Sequence, residues 1–576
     1  MKNIIKTLVV ATFSSIALAP FSAAELERFL PGKTLALAKI ENIDKLEKQS
    51  ETNPLAAEFD TKIFTPFWME LKAENPEDSA KFSSTCAELS KIFSGEVLFA
   101  VVDGKESCHP VILADCSGVA DLEKITEIYK KSYPDTTLET IGVAGVDAKN
   151  APKNGDCFTV VGKTFIFSDD VSVLKKFVKT IMISSHVKQK AKGKSLADSA
   201  EFKKARERIG NADFWIYADG KTIAKKIYAA AEEFDKKELE KAQDNPGALM
   251  FSVLMTPVAK AFAPEAVNSI WSSASFTEDG MVADSAISWN ANKGIVTLWT
   301  AAIKDGFEKP TLFPLSGELA SVSSSNFSLG KFTLQLMALA REATPLFGIA
   351  EMQMMNLKAA ENLDVPATLV ALDNGFFTYS LSAEKPEEAA WVQNVSDEKS
   401  VGFALEKIAE KLAPNVSLVK VAGTPERYNF VVAEENVLSA VFLNGKLCVG
   451  TPDMLEKIIA QAAKGAGTPS VWDNANIKAG EALLPAGGCG ISYAHLGKTI
   501  AAALAEIQES TALTALDAEA DGELIVDETE GAAADNIGEF FSKFKVEKGD
   551  FDYSVLSKSY LEENGISAKT VIYKNK

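Results

Sequence analysis

The chain has 576 residues, of which 47% are apolar and 24% charged, and its formal net charge is −19. Those fractions are ordinary for globular protein and argue against disorder over most of the chain, while the length calls for more than one core, because single cores stop growing near ~250–300 residues. Phosphate contacts need clustered Lys and Arg, so an acidic surplus of this size excludes nucleic acid as an expected partner.

Residues 1–24 read "MKNIIKTLVVATFSSIALAPFSAA", with Lys2 and Lys6, an apolar stretch over 8–19, Pro20 and a small-residue exit. This is the three-part pattern of a signal peptide cleaved before Glu25. The apolar stretch is too short for a membrane span, which needs ~20 residues. No Cys follows to carry a lipid. Loss of the two lysines takes the formal charge from −19 to −21. No later apolar run reaches membrane length. The mature chain is therefore expected outside the cytoplasm of a bacterium, in the periplasm or beyond, without a transmembrane segment.

From there the sequence repeats itself. "DLEKITEIYKKSYP" from Asp121 finds a counterpart in "ALEKIAEKLAP", with Leu122 on Leu405 at an offset of 283 and Pro134 on Pro414 at 280. Gly162 meets Gly445 at 283, Gly220 meets Gly497 at 277, and Gly280 meets Gly565 at 285. A near-constant shift held by separate segments in order predicts a tandem duplication. The expected division is 25–305 for copy 1 and 306–576 for copy 2.

Each copy is expected to open with a strand after a Pro/Gly turn ("LPGKTLALAKI"; "FPLSGELASVS") and to continue through a mostly helical stretch. A strand ending in "VLFAVVDG" or "ATLVALDNG" comes next. An amphipathic helix follows, its apolar face being Leu122, Ile125 and Ile128 in copy 1 and Leu405, Ile408 and Leu412 in copy 2. Strands then lead to a "GKT/GKL" turn and another helix. A further strand precedes the second Gly-Lys-Thr and a long helix. "EDG" and "ENG" mark the terminal hairpins. The pattern predicts an α+β fold with a mainly antiparallel sheet.

Gly-Lys-Thr occurs at 32–34, 162–164, 220–222 and 497–499. A phosphate-cradling loop also needs a glycine five positions earlier. Those positions hold Glu27, Cys157, Trp215 and Ser492, so the triplets are expected to be turns. The three histidines, His109, His186 and His495, lie in no H-E-x-x-H or C-x-x-C pattern. Cys108 and Cys116 on one extended run are too far apart to bridge. Cys448 could meet Cys489 or His495 only where their strands are neighbours. No G-x-S-x-G elbow is present.

The sharpest motif is "DAEADGELIVDE" at 517–528. Asp517, Glu519, Asp521 and Glu528 fall at ligand positions 1, 3, 5 and 12 of an EF-hand calcium loop, with Gly522 at the bend. Glu519 departs from the usual Asp or Asn, and an acidic linker is the alternative. No other cofactor is indicated. Two Met-containing apolar helices, 248–264 and 332–357, are expected to be buried against a sheet or interface, or else to form a groove for a lipid or peptide.

The signal peptide, "LPGKTLALAKIENIDKL" and "SLADSAEFKKARERIGNADFWIYADGKTI" together resemble a family of exported bacterial proteins with a duplicated module of unknown function. That resemblance implies envelope location and repeated architecture, and carries over no catalytic residue. The expected function is a non-enzymatic binding or scaffold protein that takes an envelope protein or an apolar ligand at the junction of its modules. The rival is a carbohydrate-active or other hydrolase using paired carboxylates, ~5–10 Å apart in a glycosidase, and a third expectation is a calcium-stabilised module.

Overall fold

The structure is a computed structural model that describes residues 26–66, 88–186, 195–242, 255–505 and 548–576, apart from interruptions of one to four residues. The expected leader (1–24) and the acidic loop (517–528) lie outside the described residues. The chain forms two compact units. Unit 1 takes the chain up to Ile223 together with Asn268–Ile287, and unit 2 takes Ala224–Val267 and Ser288–Lys576. These boundaries fall at other places than the expected 305/306 division.

The strands of unit 1 are β1 (Thr34–Ile40), β2 (Phe93–Asp103), β3 (Cys108–Cys116), β4 (Glu139–Val143), β5 (Val146–Ala151), β6 (Asp156–Val161), β7 (Thr164–Ser168), β8 (Phe214–Asp219), β9 (Val267–Phe276) and β10 (Met281–Trp289). Its helices are α1 (Ile43–Thr52), α2 (Pro54–Phe59), α3 (Asp121–Ser132), α4 (Val171–His186) and α5 (Ala200–Ile209), and α6 (Gly220–Ala242) starts at its end. The strands pair antiparallel in the order β4-β5-β6-β7-β3-β2-β1-β8-β9-β10. Alternation along the strands sends residues to both faces. Leu37, Leu98, Leu113, Ile166 and Tyr217 pack with Leu174 and Phe177 of α4 and Phe202 of α5. Ile40, Val97, Phe158 and Phe165 pack on the other side with Ile43 of α1 and with Leu122, Ile125 and Ile128 of α3.

Unit 2 adds α7 (Met255–Phe262), α8 (Ile295–Ala302), α9 (Leu329–Ala343), α10 (Phe347–Glu361), α11 (Val365–Ala371), α12 (Glu398–Leu412), α13 (Pro452–Ala463) and α14 (Ala475–Glu481). Its strands are β11 (Ser321–Ser325), β12 (Leu372–Ser380), β13 (Ala389–Val395), β14 (Ser417–Val421), β15 (Arg427–Val432), β16 (Glu435–Leu443), β17 (Lys446–Gly450), β18 (Gly490–His495), β19 (Lys548–Phe551), β20 (Tyr553–Glu562) and β21 (Gly565–Lys574). Ten of them pair antiparallel in the order β14-β15-β16-β17-β13-β12-β11-β18-β20-β21, the order of unit 1 with β20 and β21 in the places of β9 and β10. Small details match as well. Pro31 bridges Ser195 as Pro314 bridges Ser470, and both serines open one-turn helices with a capping box. Gly162 and Gly445 turn the β6–β7 and β16–β17 hairpins at φ 62° and 73°, a conformation that excludes most side chains. Two of the Gly-Lys-Thr triplets, at 220–222 and 497–499, stand at strand-to-helix corners, with Asp219 Oδ1 accepting from Thr222 N–H at 2.7 Å.

One expected strand is helical instead. Residues 365–371 ("VPATLVA") form α11, because Asp364 accepts from Ala367 N–H at 3.2 Å and Pro366 sits in the first turn, which is where proline favours a helix. The strand begins only at Leu372.

The centre of unit 1 holds a buried charge. Lys39, on β1, is 1% exposed. Its Nζ lies 2.7 Å from Glu27, 3.1 Å from Glu96 and 3.2 Å from Glu41. Arg206 of α5 reaches Glu41 at 2.5 Å, and Trp215 Nε1–H donates to the same carboxylate at 2.6 Å. Leu26 N–H donates to Glu96 at 3.0 Å. Burial works against the Lys39 charge, but Glu27, Glu96 and Glu41 outweigh it and leave its pKa raised. Burial raises Glu96 to about 7 and Asp115 to about 6, Lys39 opposing both shifts. Protonation of these two carboxyls trims the excess negative charge around two cations.

Removing the ammonium leaves buried carboxylates uncompensated, so Lys39→Met is expected to cost about 3–5 kcal/mol in urea denaturation of the full chain. A loss below about 1 kcal/mol would show that the cluster does not hold the unit together. Between the ordinary value of 4.5 and about 7, the folded chain binds more protons at Glu96 than the unfolded one. Stability from this site therefore falls as pH rises through that window. Glu96→Gln should flatten that part of a melting-temperature profile, and a slope equal to that of the parent counts against the assignment.

Candidate functional site

The least satisfied part of the described surface is the helical layer of unit 2. α9 begins at Ser328, whose Oγ accepts from Lys331 N–H at 3.2 Å. It packs through Leu339 and Ala343, and Gln335 donates to Thr297 of α8 at 2.9 Å. α10 follows after Thr344. It carries Phe347, Ile349, Met352, Met354, Met355 and Leu357, yet none of its residues is buried. The expectation that the Met-containing stretch 332–357 is buried therefore holds for part of α9 and fails for α10. Its apolar residues lie all round the helix, so no single face can bury them against one neighbour.

The helix is held at its edges by charge. Arg341 of α9 pairs with Glu351, Lys411 of α12 pairs with Glu361, and Lys358 pairs with Asp364 at 2.5 Å. α12 presents its apolar residues in a way the repeat did not indicate. Val401, Ala404 and Ala409 face the core, Leu405 is half-buried, and Ile408 and Leu412 are about half exposed. In α3 of unit 1 the matching stripe of Leu122, Ile125 and Ile128 is buried. Ile349, Met352, Met355, Val370, Ile408 and Leu412 thus leave large apolar side chains exposed on three helices linked by these ion pairs. Such groupings mark contact surfaces more often than scattered single residues do.

The other sequence candidates are not assembled into a centre. Asp517, Glu519, Asp521 and Glu528 lie outside the described residues. Among the described residues no group of three or more His, Cys, Asp and Glu side chains is placed to hold a metal. Cys448 on β17 cannot meet Cys489 or His495 at β18, because β13, β12 and β11 lie between. Cys108, Cys116, Cys157, Cys448 and Cys489 are all free thiols, and burial pushes Cys448 up to about 12, the opposite of an activated nucleophile. His495 lies 3.6 Å from Asp552, with burial lowering its pKa.

Paired carboxylates do exist, at Glu96 and Asp115, where Glu96 N–H donates to Asp115 at 3.3 Å. Glu96 is 1% exposed, which closes it to a sugar. Two concavities of about 390 and 200 Å³ lie elsewhere in unit 1. One is lined by Asn42, Asp44, Lys45, Lys48, Gln49 and Thr52, the other by residues including Ile209, Ser273 and Asp284. Each offers a single carboxylate and no aromatic wall.

No family model matches the chain, and no curated protein does. Among solved structures, TP0453 in crystal form III aligns at 10% identity over 50% of this chain and 90% of that one, with a TM-score of 0.26. Its crystal form I aligns at 8% identity over 48% and 84%, with a TM-score of 0.23. Likeness at that level carries no weight for fold or function.

If α10 is held for contact and not for stability, truncating it is nearly free. Met355→Ala is expected to change stability by no more than about 0.5 kcal/mol. Leu339→Ala, at a site 2% exposed on α9, should cost about 2–5 kcal/mol. Equal losses in chemical denaturation would place α10 in the core instead.

Proposed function

We propose that the chain is an exported binding or scaffold protein, built from one module written twice, that meets an apolar ligand or a partner protein on the helical surface of its second unit. Export rests on the signal-peptide pattern of residues 1–24. The duplication is supported by the shared strand order, by the paired Pro–Ser bridges, and by the hairpin glycines at 162 and 445.

The observation that carries the binding reading is α10, a helix of 15 residues rich in Met, Leu, Ile and Phe without one buried residue. Methionine is flexible and polarizable, which suits a surface that adapts to its ligand. The sequence placed such a surface at the junction of the modules, whereas these residues belong to unit 2 alone. A hydrolase of the paired-carboxylate kind finds no support in the buried Glu96–Asp115 pair.

The test is a solvatochromic probe. 8-Anilinonaphthalene-1-sulfonate added to the folded full chain is expected to gain fluorescence. The triple variant Ile349→Glu, Met352→Glu and Met355→Glu should lose most of that gain at an unchanged melting temperature. Equal fluorescence from both proteins would sink the assignment.

A further inference from the structure

The hairpin between β2 and β3 carries a hydroxyl–imidazole–carboxylate chain that the sequence motifs did not reveal. Ser107 and His109 are two residues apart where β3 begins, so their side chains share a face. Ser107 Oγ lies 3.0 Å from His109 Nε2, and His109 Nδ1 lies 2.9 Å from Asp169 Oδ1. The antiparallel register brings the third member in. Val111 pairs with Ser168, so the start of β3 runs beside the residue that follows β7.

The turn is shaped to admit the ring. Gly104 N–H donates to Ser107 O at 2.9 Å. A Cβ on Gly104 would stand 2.5 Å from His109 Cδ2, so a side chain there would expel the imidazole. Ser107 is exposed, while the His109 and Asp169 side chains are 15% and 29% exposed. The hydroxyl is open to solvent and its two supports are mostly covered.

The chemistry of the three groups fixes the direction of the chain. An ionised carboxylate only accepts, so Asp169 holds the imidazole proton on Nδ1. Nε2 is then left with its lone pair toward the Ser107 hydroxyl. This is the arrangement in which a base activates a serine and a third group orients the base.

We propose that Ser107, His109 and Asp169 form a nucleophilic relay on unit 1 that takes acyl groups from small esters with good leaving groups. Ser107 Oγ bonds to the acyl carbon as its proton passes to His109 Nε2. The aryloxide or alkoxide departs with the electron pair of the broken C–O bond and takes that proton. Water then adds to the acyl carbon, giving a proton to Nε2, and Ser107 Oγ leaves with the proton returned, releasing the carboxylic acid. Asp169 is the positioning residue. The Gly104 amide is already spent on the Ser107 carbonyl and cannot steady the oxyanion. General-base assistance of this kind supplies about 10²–10⁴-fold, which suffices for activated esters and leaves amides intact.

The experiment treats the full chain with diisopropyl fluorophosphate and locates adducts by peptide mass spectrometry. In that reaction Ser107 Oγ bonds to phosphorus, its proton moves to Nε2, and fluoride leaves. One adduct on the Ser107 peptide is expected, absent in Ser107→Ala and formed at least tenfold more slowly in His109→Gln. Asp169→Asn should slow it as well, because an amide can donate to Nδ1 and turn the tautomer around, and Asp169→Glu should recover part of the rate. Melting temperatures of the variants separate lost chemistry from lost fold. Labelling of Ser107 no faster than of other exposed serines, or a rate unchanged in His109→Gln, overturns the proposal.

Discussion

An ammonium group shut away from water has to be neutralised where it stands, and Lys39 sits on the strand that both neighbours of the unit 1 sheet depend on. β1 pairs with β2 on one edge and with β8 on the other, so it joins the part of the sheet made early in the chain to the part made late. The groups that answer Lys39 come from every direction of that junction. Glu27 and the Leu26 amide come from the one-turn helix before β1, Glu96 from β2, and Arg206 and Trp215 from α5 and β8. None of these can drift without exposing a charge to a low-dielectric interior, where an unpaired ion costs several kcal/mol. The cluster therefore fixes register at the one place where two long-range pairings must agree. Hydrophobic packing on the two faces alone does not specify which residue faces which with the same force.

Unit 2 reaches the same strand order without a buried ammonium at the matching position. The pairings of β11 with β12 and β18 put Ser324 where β1 has Lys39, with Phe377 and Ile491 opposite it. The Ser324 hydroxyl is buried and donates to the Glu308 carbonyl. Phe313 stacks on Tyr379 with ring centroids 5.0 Å apart, in the same core cluster as Trp472. A neutral hydroxyl costs far less to bury than an ion, so unit 2 can rest more of its sheet on apolar contact. The same topology is therefore held by two kinds of interior.

Much of this architecture was legible in the sequence because it is local. The α3 stripe, the hairpin glycines at 162 and 445, and the strand-to-helix corner at Asp219 are each written within a few residues. What was not legible depends on distant partners. Lys39 reads as an ordinary solvated charge until Glu27 and Glu96 are brought beside it, and His109 as a strand residue until Asp169, 60 positions on, closes against it. "VPATLVA" has the β-branched content of a strand, yet Asp364 and Pro366 start a helix there, so local capping won over strand propensity. Periodicity also gives the apolar face of α12 without saying what covers it, so the exposure of Ile408 and Leu412 was not legible.

The two units treat this helix differently. Two units with one strand order carry matching apolar helix faces, and each face is either covered or left open. Unit 1 keeps the α3 stripe against Phe158 and Phe165 and spends those residues on its own core. Unit 2 turns Ile408 and Leu412 outward beside an uncovered α10, while Val401 and Leu405 suffice to seal the sheet below. Leaving such residues in water forfeits roughly 25 cal/mol for each Å² not buried, a loss that no described residue offsets by covering them. The ion pairs at Glu351, Glu361 and Asp364 tie α10 in place without hiding it. A helix tethered by its charged edges and left open along its apolar sides supports the proposed reading of α10 as a contact surface, since none of the described residues buries it.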